Sequence, residues 1–458
     1  MKPGLVVAVL LALIPAAAPA QARERCDFIN TPQTRQRLNQ LPSGEYNTFF
    51  GAGIRVRCPK SDITLVADSL ESYGDEGRIY LVGNVHYDEP RLSLTSDFLT
   101  YFRRDERLLA TSNVNARLPS GSTLKGPMAE YFRAIPVVRP VPRMRANGRP
   151  TIMLVQKDSL GRPAPPATVV AQNVNMIGDS LVYASGQVVV TREDIIARGD
   201  SMHLDAEREF TVLLRNPTIE GRKNRPFTLG GDRIELTGRN RKLARVLSIG
   251  KARALSEDMT LQSDTLDLRV ANDLLQRAIA WGPTRATAFS ATQRITSDSI
   301  DVRMPDQRLR EMHAIRGAAA EGKPDTVRFR ADTVDWMRGD TIIARFDTAT
   351  AQDTTRSAKL RELRAIGSAK AYRHLDPADS SVRLPAINYV VGREIIIDFD
   401  QKGVTRVTVK QKAAGVYLEP RPVAAAPADT TRRARPTARP APPPATPPAS
   451  TPARRRPR

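Results

Sequence analysis

Residues 260–282 read TLQSDTLDLRVANDLLQRAIAWG, and this stretch decides the fold. From Thr265 to Val270, polar and apolar side chains alternate, which is the period of a half-buried β-strand. Ala271-Asn-Asp273 follows as a short polar link of the kind that forms a hairpin turn. A second alternating run from Leu275 to Trp281 then ends at Gly282. The stretch therefore predicts a β-hairpin followed by a glycine-marked bend.

The same phrase recurs along the chain as a small residue, an aspartate, usually a polar residue and then an apolar residue. The aspartates of these phrases are Asp68, Asp97, Asp200, Asp232, Asp264, Asp298 and Asp332. The last five are separated by 32, 32, 34 and 34 residues. A leucine or isoleucine stands eleven residues after six of the seven, and only Asp200 is followed there by Thr211. Such self-similarity is the signature of a repeat architecture.

A single unit of this kind cannot bury its apolar face, whereas stacked units can, as one continuous elongated core. Residues 63–133 and 169–420 are therefore predicted to be an all-β, solenoid-like stack of hairpin repeats. The stack leaves an unpaired strand at each end, and such edges invite pairing with another chain. If its two sheets close fully, the interior is plain core. If one side stays open, the interior is an apolar groove that can hold acyl chains.

The N-terminus predicts export. Residues 1–22 combine Lys2, an apolar run from Leu5 to Ile14, and small residues at A-x-A spacing up to Ala22. These are the parts of a secretory signal peptide, and a buried core helix is the alternative. No later apolar run approaches the roughly 18 residues of a membrane-spanning helix. We therefore expect a periplasmic protein that is membrane-associated only through its partners.

Three further segments complete the predicted organisation. Residues 23–62 are an entry region with a short helix from Thr31 to Leu41, and export makes a disulfide the default state of Cys26 and Cys58. Residues 134–168 interrupt the repeats with seven prolines, which predicts a loop or linker. Residues 421–458 are rich in proline and arginine, which predicts a disordered tail.

The net charge of +21 is unevenly distributed. Residues 421–458 contribute +8 and residues 134–168 contribute +5, so the repeats themselves are only mildly basic. The acidic partners expected of an exported chain are anionic lipids, phosphorylated saccharides or wall polymers. Nucleic acid is not expected, because an exported protein seldom meets it.

No motif has the spacing of a catalytic or metal centre. The histidines His86, His203, His313 and His374 are scattered, and G-x-S-x-G is absent. The acidic pairs Asp75/Glu76 and Asp105/Glu106 flank predicted turns, where charged residues are simply solvated. The repeated aspartates are a ladder of calcium ligands or, as we favour, residues that hold bends by hydrogen bonding to nearby backbone amides. We expect no enzyme activity, no metal and no cofactor.

Three phrases resemble domains of the OstA type, the superfamily of the lipopolysaccharide-transport proteins LptA and LptC and of the N-terminal domain of LptD. They are ADSLE…GRIYLVGNVHY at 67–87, TSDFLTYFRRDERLLATSNV at 95–114 and GDSLVYASGQVVVTREDIIARGDSMHLD at 178–205. Gly83-Asn-Val85 and Gly186-Gln-Val188 match the G-N-V step of that signature. The resemblance covers most of 63–133 and 169–410. It implies an elongated twisted β-jellyroll, V-shaped in section, whose members stack edge to edge.

By this resemblance, the partners are lipopolysaccharide or a related glycolipid and other β-jellyroll proteins of lipopolysaccharide transport. The function it implies is binding of lipopolysaccharide acyl chains and bridging or assisting their transport to the outer membrane. The residues that it implies as inward-facing lipid contacts are Ile79, Leu81, Val85, Leu181, Val188, Val190, Leu266, Leu268 and Ile279.

Two rival functions remain open at this point. One is a structural envelope protein with a dry β core, whose basic tail binds anionic surfaces. The other is a β-helix enzyme acting on polysaccharides, which would require carboxylates that converge in a cleft and have perturbed pKa values.

Overall fold

The protein is described by a computed structural model over residues 26–29, 32–155, 165–193, 195–222, 226–256, 259–324, 331–347, 358–378, 384–400 and 403–420. These residues are all-β. Thirty strands form one antiparallel sheet, and the described helix is a 3-10 turn at Pro305–Gln307. The predicted signal peptide and tail lie outside the described residues.

The strands of the N-terminal half are β1 Asp27–Ile29, β2 Arg35–Gln40, β3 Tyr46–Gly51, β4 Ile54–Cys58, β5 Ile63–Ala67, β6 Ser69–Tyr73, β7 Arg78–Glu89, β8 Leu92–Phe102, β9 Arg107–Arg117, β10 Thr123–Phe132, β11 Arg143–Asn147, β12 Thr151–Leu154, β13 Ala167–Val170, β14 Asn173–Ile177, β15 Leu181–Thr191 and β16 Ile195–Asp205. Those of the C-terminal half are β17 Phe210–Leu214, β18 Thr218–Gly221, β19 Phe227–Gly230, β20 Arg233–Arg239, β21 Lys242–Ser256, β22 Thr260–Ala271, β23 Leu274–Phe289, β24 Gln293–Arg303, β25 Glu311–Gly322, β26 Asp335–Asp347, β27 Lys359–Leu375, β28 Ala386–Asp400, β29 Gly403–Lys410 and β30 Ala414–Leu418.

The hairpin predicted from residues 260–282 is confirmed. β22 and β23 pair antiparallel, and the two linking residues, Asn272 and Asp273, both have left-handed φ angles of 54° and 60°. This is the turn geometry that matches the twist of the flanking strands, and Asn and Asp tolerate it well. Pairing continues on both sides of this hairpin, with β21 on one side and β24 on the other, so the repeats merge into one ladder.

Each long strand is interrupted near its middle by a bend, and the bends of neighbouring strands lie opposite one another. In β22 and β23 the register breaks between Gln262 and Thr265. The bends divide the sheet into two layers. Layer A contains residues 265–271, 274–281 and 299–303 and their counterparts, and layer B contains 260–263, 286–289 and 293–297 and theirs. Side chains from both layers belong to one buried apolar cluster, so the layers face each other across it.

Several of these bends combine a glycine on one strand with an aspartate on the neighbouring strand. Gly83, Gly250 and Gly367 have φ angles of +77°, +77° and +78°, which side chains rarely adopt. A Cβ atom on Gly367 would lie 2.1 Å from the Oδ2 atom of Asp340, and one on Gly250 would lie 2.4 Å from that of Asp232. Glycine is therefore needed at these positions both for its backbone conformation and for the close approach of the aspartate.

The aspartates accept hydrogen bonds across the bend, mostly from side chains. Asp97 accepts from the Oγ of Ser112 at 2.6 Å and from the Nδ2 of Asn113 at 2.7 Å. Asp264 accepts from both the backbone N–H and the hydroxyl of Thr284, at 2.6 and 2.7 Å, and these bonds lower its pKa. The bend role predicted for the aspartates is thus seen, although their donors belong to adjacent strands rather than to nearby residues in the chain.

The serine that precedes the aspartate in several repeats has a separate role on the inner side of the bend. Ser96 and Ser297 each donate to the carbonyl two residues ahead, at 2.9 and 2.7 Å, and Ser263 donates to the carbonyl of Trp281 at 2.7 Å. The three serines are buried, at 4, 8 and 0 % exposure for Ser96, Ser263 and Ser297, and a buried hydroxyl without a hydrogen-bond partner is costly. The Ser-Asp pair therefore provides hydrogen bonds on both sides of one bend: the serine donates on the inner side, and the aspartate accepts on the outer side.

One member of the predicted repeat was wrong. Asp332 precedes β26, whereas Asp340, eight residues further on, occupies the bend against Gly367. The register of β26 breaks between Arg338 and Thr341, which brackets Asp340. The phrase at 330–334 matches the bend phrase in sequence, but pairing of β26 begins only at Asp335, so Asp332 lies outside the ladder.

Two segment predictions were also wrong. The predicted helix at 31–41 is replaced by β2, because residues 35–40 pair with β3 along their whole length. The predicted linker at 134–168 contains β11 and β12, which pair with β10. Proline is compatible here because Pro150 lies at the bend between these strands, where no ladder hydrogen bond is required. Cys26 and Cys58 form a disulfide between β4 and the residue preceding β1.

The core next to the bend is closely packed by alternating large and small residues. Ala280 on β23 lies between Leu266 and Ile300 on its two neighbours, and Ala278 lies between Leu268 and Val302. All six are at most 4 % exposed. Because layers pack about 10 Å apart, a small residue on one strand leaves room for larger side chains from the facing layer.

Replacing Gly367 by alanine is expected to lower the free energy of unfolding by about 2 kcal/mol or more, because alanine resists left-handed φ and its Cβ would collide with Asp340. Urea unfolding followed by tryptophan fluorescence measures the change. Gly322→Ala is the matched control, since a Cβ there meets nothing within 4 Å. Equal stability of the two variants would contradict the role assigned to the bend.

Candidate functional site

The two layers are tightly joined beside the bends and separate at the opposite edge, where the hairpin turns lie. Two cavities open between the layers at this edge. We call them the central cavity, lined from Leu154 to Leu243, and the C-terminal cavity, lined from Thr292 to Phe399. Each is lined by side chains from both layers, so each is a space between layers rather than a dent in one surface.

The central cavity lies between strands β13, β15 and β16 and strands β17, β20 and β21. Its apolar wall includes Val190, Ile195, Leu204, Leu236 and Leu243. Two charged residues, Arg241 and Glu209, lie at its rim. They are joined by a hydrogen bond of 2.9 Å from the backbone N–H of Arg241 to the carboxylate of Glu209.

The C-terminal cavity lies between strands β24 to β28. Its apolar wall contains Ile295, Phe346, Leu360, Leu363 and Phe399. A charged side chain lies next to this apolar wall. The guanidinium of Arg373 lies 5.4 Å from the ring centre of Phe399, which belongs to the other layer.

Each cavity has a volume of about 160 Å³. An engineered cavity of about 150 Å³ in another protein holds benzene, and pockets for drug-sized ligands begin at about 300 Å³. As they stand, the cavities have room for a short alkyl segment. A longer chain would have to extend out of the cavity along the open edge, unless the layers separated further there.

In the N-terminal part, a polar cluster closes the same edge. Glu89 of layer B accepts hydrogen bonds from Tyr131 at 2.6 Å and Tyr87 at 2.9 Å, and it pairs with Arg133 of layer A at 2.8 Å. Arg133 also pairs with Glu106 at 2.7 Å. Burial raises the pKa of both tyrosines above the usual range. This satisfied network ties the two layers together, so the opening does not run the whole length of the body.

Most of the predicted lipid contacts do face the interior. Those packed in or against the buried cluster are Ile79, Leu81, Val85, Val188, Val190, Leu266 and Leu268. Among them, Val190 lines the central cavity, whereas Leu81, Val85 and Leu266 are at most 1 % exposed within closed packing. Contact of any of these residues with lipid stays a prediction.

The inward orientation predicted for Leu181 and Ile279 was wrong. Their neighbours along the chain, Val182 and Ala280, are the buried ones. In β23 a register shift between Arg277 and Leu275 inserts one extra residue, and this reverses the face of every residue that follows. A hydrophobic pattern read without the bulge therefore assigns Ile279 to the wrong side.

Ile279 lies instead on the outer face of layer A, between two paired carboxylates. Asp267 is held by Arg245 through two hydrogen bonds of 2.8 and 2.9 Å, and Asp301 by Arg277 through two of 2.7 and 2.8 Å. Bidentate pairing offsets the desolvation of these carboxylates. The charged residues on this face therefore pair with one another across adjacent strands and stabilise the sheet.

Sequence reasoning missed several cavity residues, most notably Arg373, Phe346 and Phe399. A usable signal existed for two others. Leu243 and Leu360 each begin a copy of the repeated phrase, and both line a cavity at the open edge. Arg373 carries no repeat signal, because it interrupts the inward alternation of alanines on β27.

No group of three or more histidine, cysteine, aspartate or glutamate side chains could hold a metal ion within the described ranges. No helix there is long and apolar enough to cross a membrane. Comparison with known protein families gives no match, and comparison with proteins of curated function gives none either.

Enlarging an alanine distinguishes the closed core from the cavities. Ala320 lines the C-terminal cavity, so Ala320→Leu is expected to change the free energy of unfolding by less than about 0.5 kcal/mol or to raise it. Ala280→Leu, in the packed region beside the bend, is expected to cost about 1–3 kcal/mol. Urea unfolding of both variants measures the difference, and an equal loss would show that the cavity has no usable space.

Proposed function

We propose that this chain is a non-catalytic periplasmic protein that binds lipopolysaccharide acyl chains and bridges or assists lipopolysaccharide transport to the outer membrane. Its sheet would then be an elongated twisted β-jellyroll of the OstA type. The observation that carries the proposal is the separation of the two layers at one edge, which opens apolar cavities between them.

The interior chemistry supports an acyl-chain ligand. The cavities adjoin an apolar cluster to which both layers contribute, and the apolar part of their walls includes leucine, isoleucine, valine and phenylalanine side chains. Alkyl chains gain about 0.8 kcal/mol for each methylene group removed from water. Polar head groups would remain at the open edge, where the hairpin turns are hydrated.

The ends of the sheet support a bridging role. At the C-terminal end, β29 and β30 each pair with β28, and at the N-terminal end β1 pairs with β4 and β2 with β3. Their other edges carry backbone donors and acceptors that another strand can satisfy. Val416, Tyr417 and Leu418 of β30 are 53–55 % exposed, so the C-terminal edge is also apolar.

Two observations favour a second function, a structural envelope protein with a dry β core. The packing beside the bend is closed, with Ala280, Leu266 and Ile300 at 0 % exposure. The Glu89–Arg133 cluster likewise closes the N-terminal part of the opposite edge. On this alternative the cavities are packing defects, and no lipid occupies them.

Photo-crosslinking in intact cells separates the two functions. A benzophenone amino acid at Leu243 or Phe399 is expected to crosslink to glycolipid, because each side chain lines a cavity. The same amino acid at Trp281, which is 36 % exposed on the outer face of layer A, is the control and should not crosslink. Labelling at neither cavity would contradict the transport function and favour the structural one.

The end edge has its own test. Changing Val416 and Leu418 together to lysine is expected to abolish association through the C-terminal edge without lowering the melting temperature, because both side chains are exposed. Sedimentation velocity over a range of concentrations, alone and with an OstA-type protein, measures association. Leu255→Lys, at a 45 % exposed position on the paired strand β21, is the control. Unchanged association of the double variant would contradict the bridging role of this edge.

A further inference from the structure

Arg373 is a charged residue in the C-terminal cavity, and binding of a purely apolar ligand would not require it. On β27 it follows the inward-facing alanines Ala369 and Ala371, each 1 % exposed, at the same two-residue spacing. Its side chain is 20 % exposed and lines the cavity. Bringing a guanidinium into such a position costs free energy unless anions compensate for it.

The compensation that Arg373 receives from the protein is incomplete. Its Nη2 lies 3.3 Å from Oδ2 of Asp335, which is longer than a strong charge-assisted hydrogen bond. The Oδ1 of Asp335 is engaged elsewhere, since it lies 2.8 Å from both the backbone nitrogen and the Nδ1 of His374. The buried Nε of Arg373 has no hydrogen-bond acceptor among the described residues. Burial lowers the pKa of Arg373, as expected for an undercompensated cation.

The surroundings point to a ligand with both a charge and an alkyl part. Lys323 adds a second cation at the rim of the cavity. Glu321, the other acid in the wall, pairs with Arg294 and Trp336 in the ladder, and its neighbours Ala320 and Gly322 take the inward positions. Next to the cations lies the apolar wall of Phe346, Leu360 and Phe399.

We propose that the C-terminal cavity is a binding site for the anionic end of an alkyl carboxylate or alkyl phosphate, with the acid on Arg373 and the first methylenes against Phe346, Leu360 and Phe399. The volume of about 160 Å³ holds a short alkyl segment, so the remainder of a longer chain extends along the open edge. This rests on the proposed function in one respect: both place an alkyl chain between the layers. The charge selectivity is the new element.

The test uses the full chain with octanoate and 1-octanol as probes, in titration calorimetry at neutral pH. Octanoate is expected to bind at least about tenfold more tightly than 1-octanol, because a charge-assisted hydrogen bond contributes about 1.5–3 kcal/mol. Arg373→Met should lower the octanoate affinity by at least about tenfold and leave that of 1-octanol within about twofold. Arg338→Met is the matched control, since Arg338 lies on the outer face over Trp336, and it should change neither affinity.

Equal affinity for the two probes in the unaltered protein would overturn the proposal, and so would an unchanged octanoate affinity in Arg373→Met. If Arg373→Met does not fold, Arg373→Lys preserves the charge but not the planar fork, and it should weaken octanoate binding selectively. Equal binding of both probes would remove the anion site and leave the apolar interlayer space intact. Failure of the anion-site proposal is therefore distinguishable from failure of the proposed function.

Mass spectrometry of lipids co-purified without detergent identifies the source of the acid. Loss of free fatty acids from Arg373→Met, with glycolipid retained, would identify a free carboxylate as the ligand. Selective loss of an acidic glycolipid would instead place a lipid head group at Arg373. An unchanged lipid profile would count against the site.

Discussion

The fold depends on bending every long strand of one antiparallel sheet at the same place. A single flat sheet with one apolar face cannot remove that face from water. Bends in register fold the sheet onto itself, and the two halves then bury one another. The left-handed glycines and the aspartates packed against them make these bends possible. Because the glycine of one strand accommodates the aspartate of its neighbour, each bend also fixes the register of the next strand.

This construction explains why the interior is closed on one side and open on the other. At the bend the layers are joined covalently by every long strand, and small residues such as Ala280 allow close packing. At the far edge, each hairpin turn that the structure describes joins two strands of the same layer, so none of these turns links one layer to the other. Side chains decide the outcome: the Glu89–Arg133 network closes the edge, whereas the central and C-terminal cavities leave it open.

Charge is distributed according to the same geometry. On the outer face of layer A, carboxylates such as Asp267 and Asp301 are matched by arginines from adjacent strands, so these charges stabilise the sheet. Between the layers, the carboxylate that pairs with Arg373 among the described residues is that of Asp335, at 3.3 Å, and an apolar wall lies beside it. The difference between matched charges outside and an undermatched charge inside is the basis for proposing Arg373 as an anion-binding residue.

The sequence by itself determined the all-β class, the hairpin at 260–282 and the repeated bend, because strand alternation, turn residues and glycines with left-handed backbones are local properties. It misassigned 31–41 and 143–154, where pairing with distant strands outweighed the local helical and proline signals. The faces of Leu181 and Ile279, the bend role of Asp340 in place of Asp332, and the position of Arg373 were decided only by the tertiary structure. One inserted residue in a strand reverses all later faces, and whether two layers touch or separate depends on side chains that are far apart in the chain.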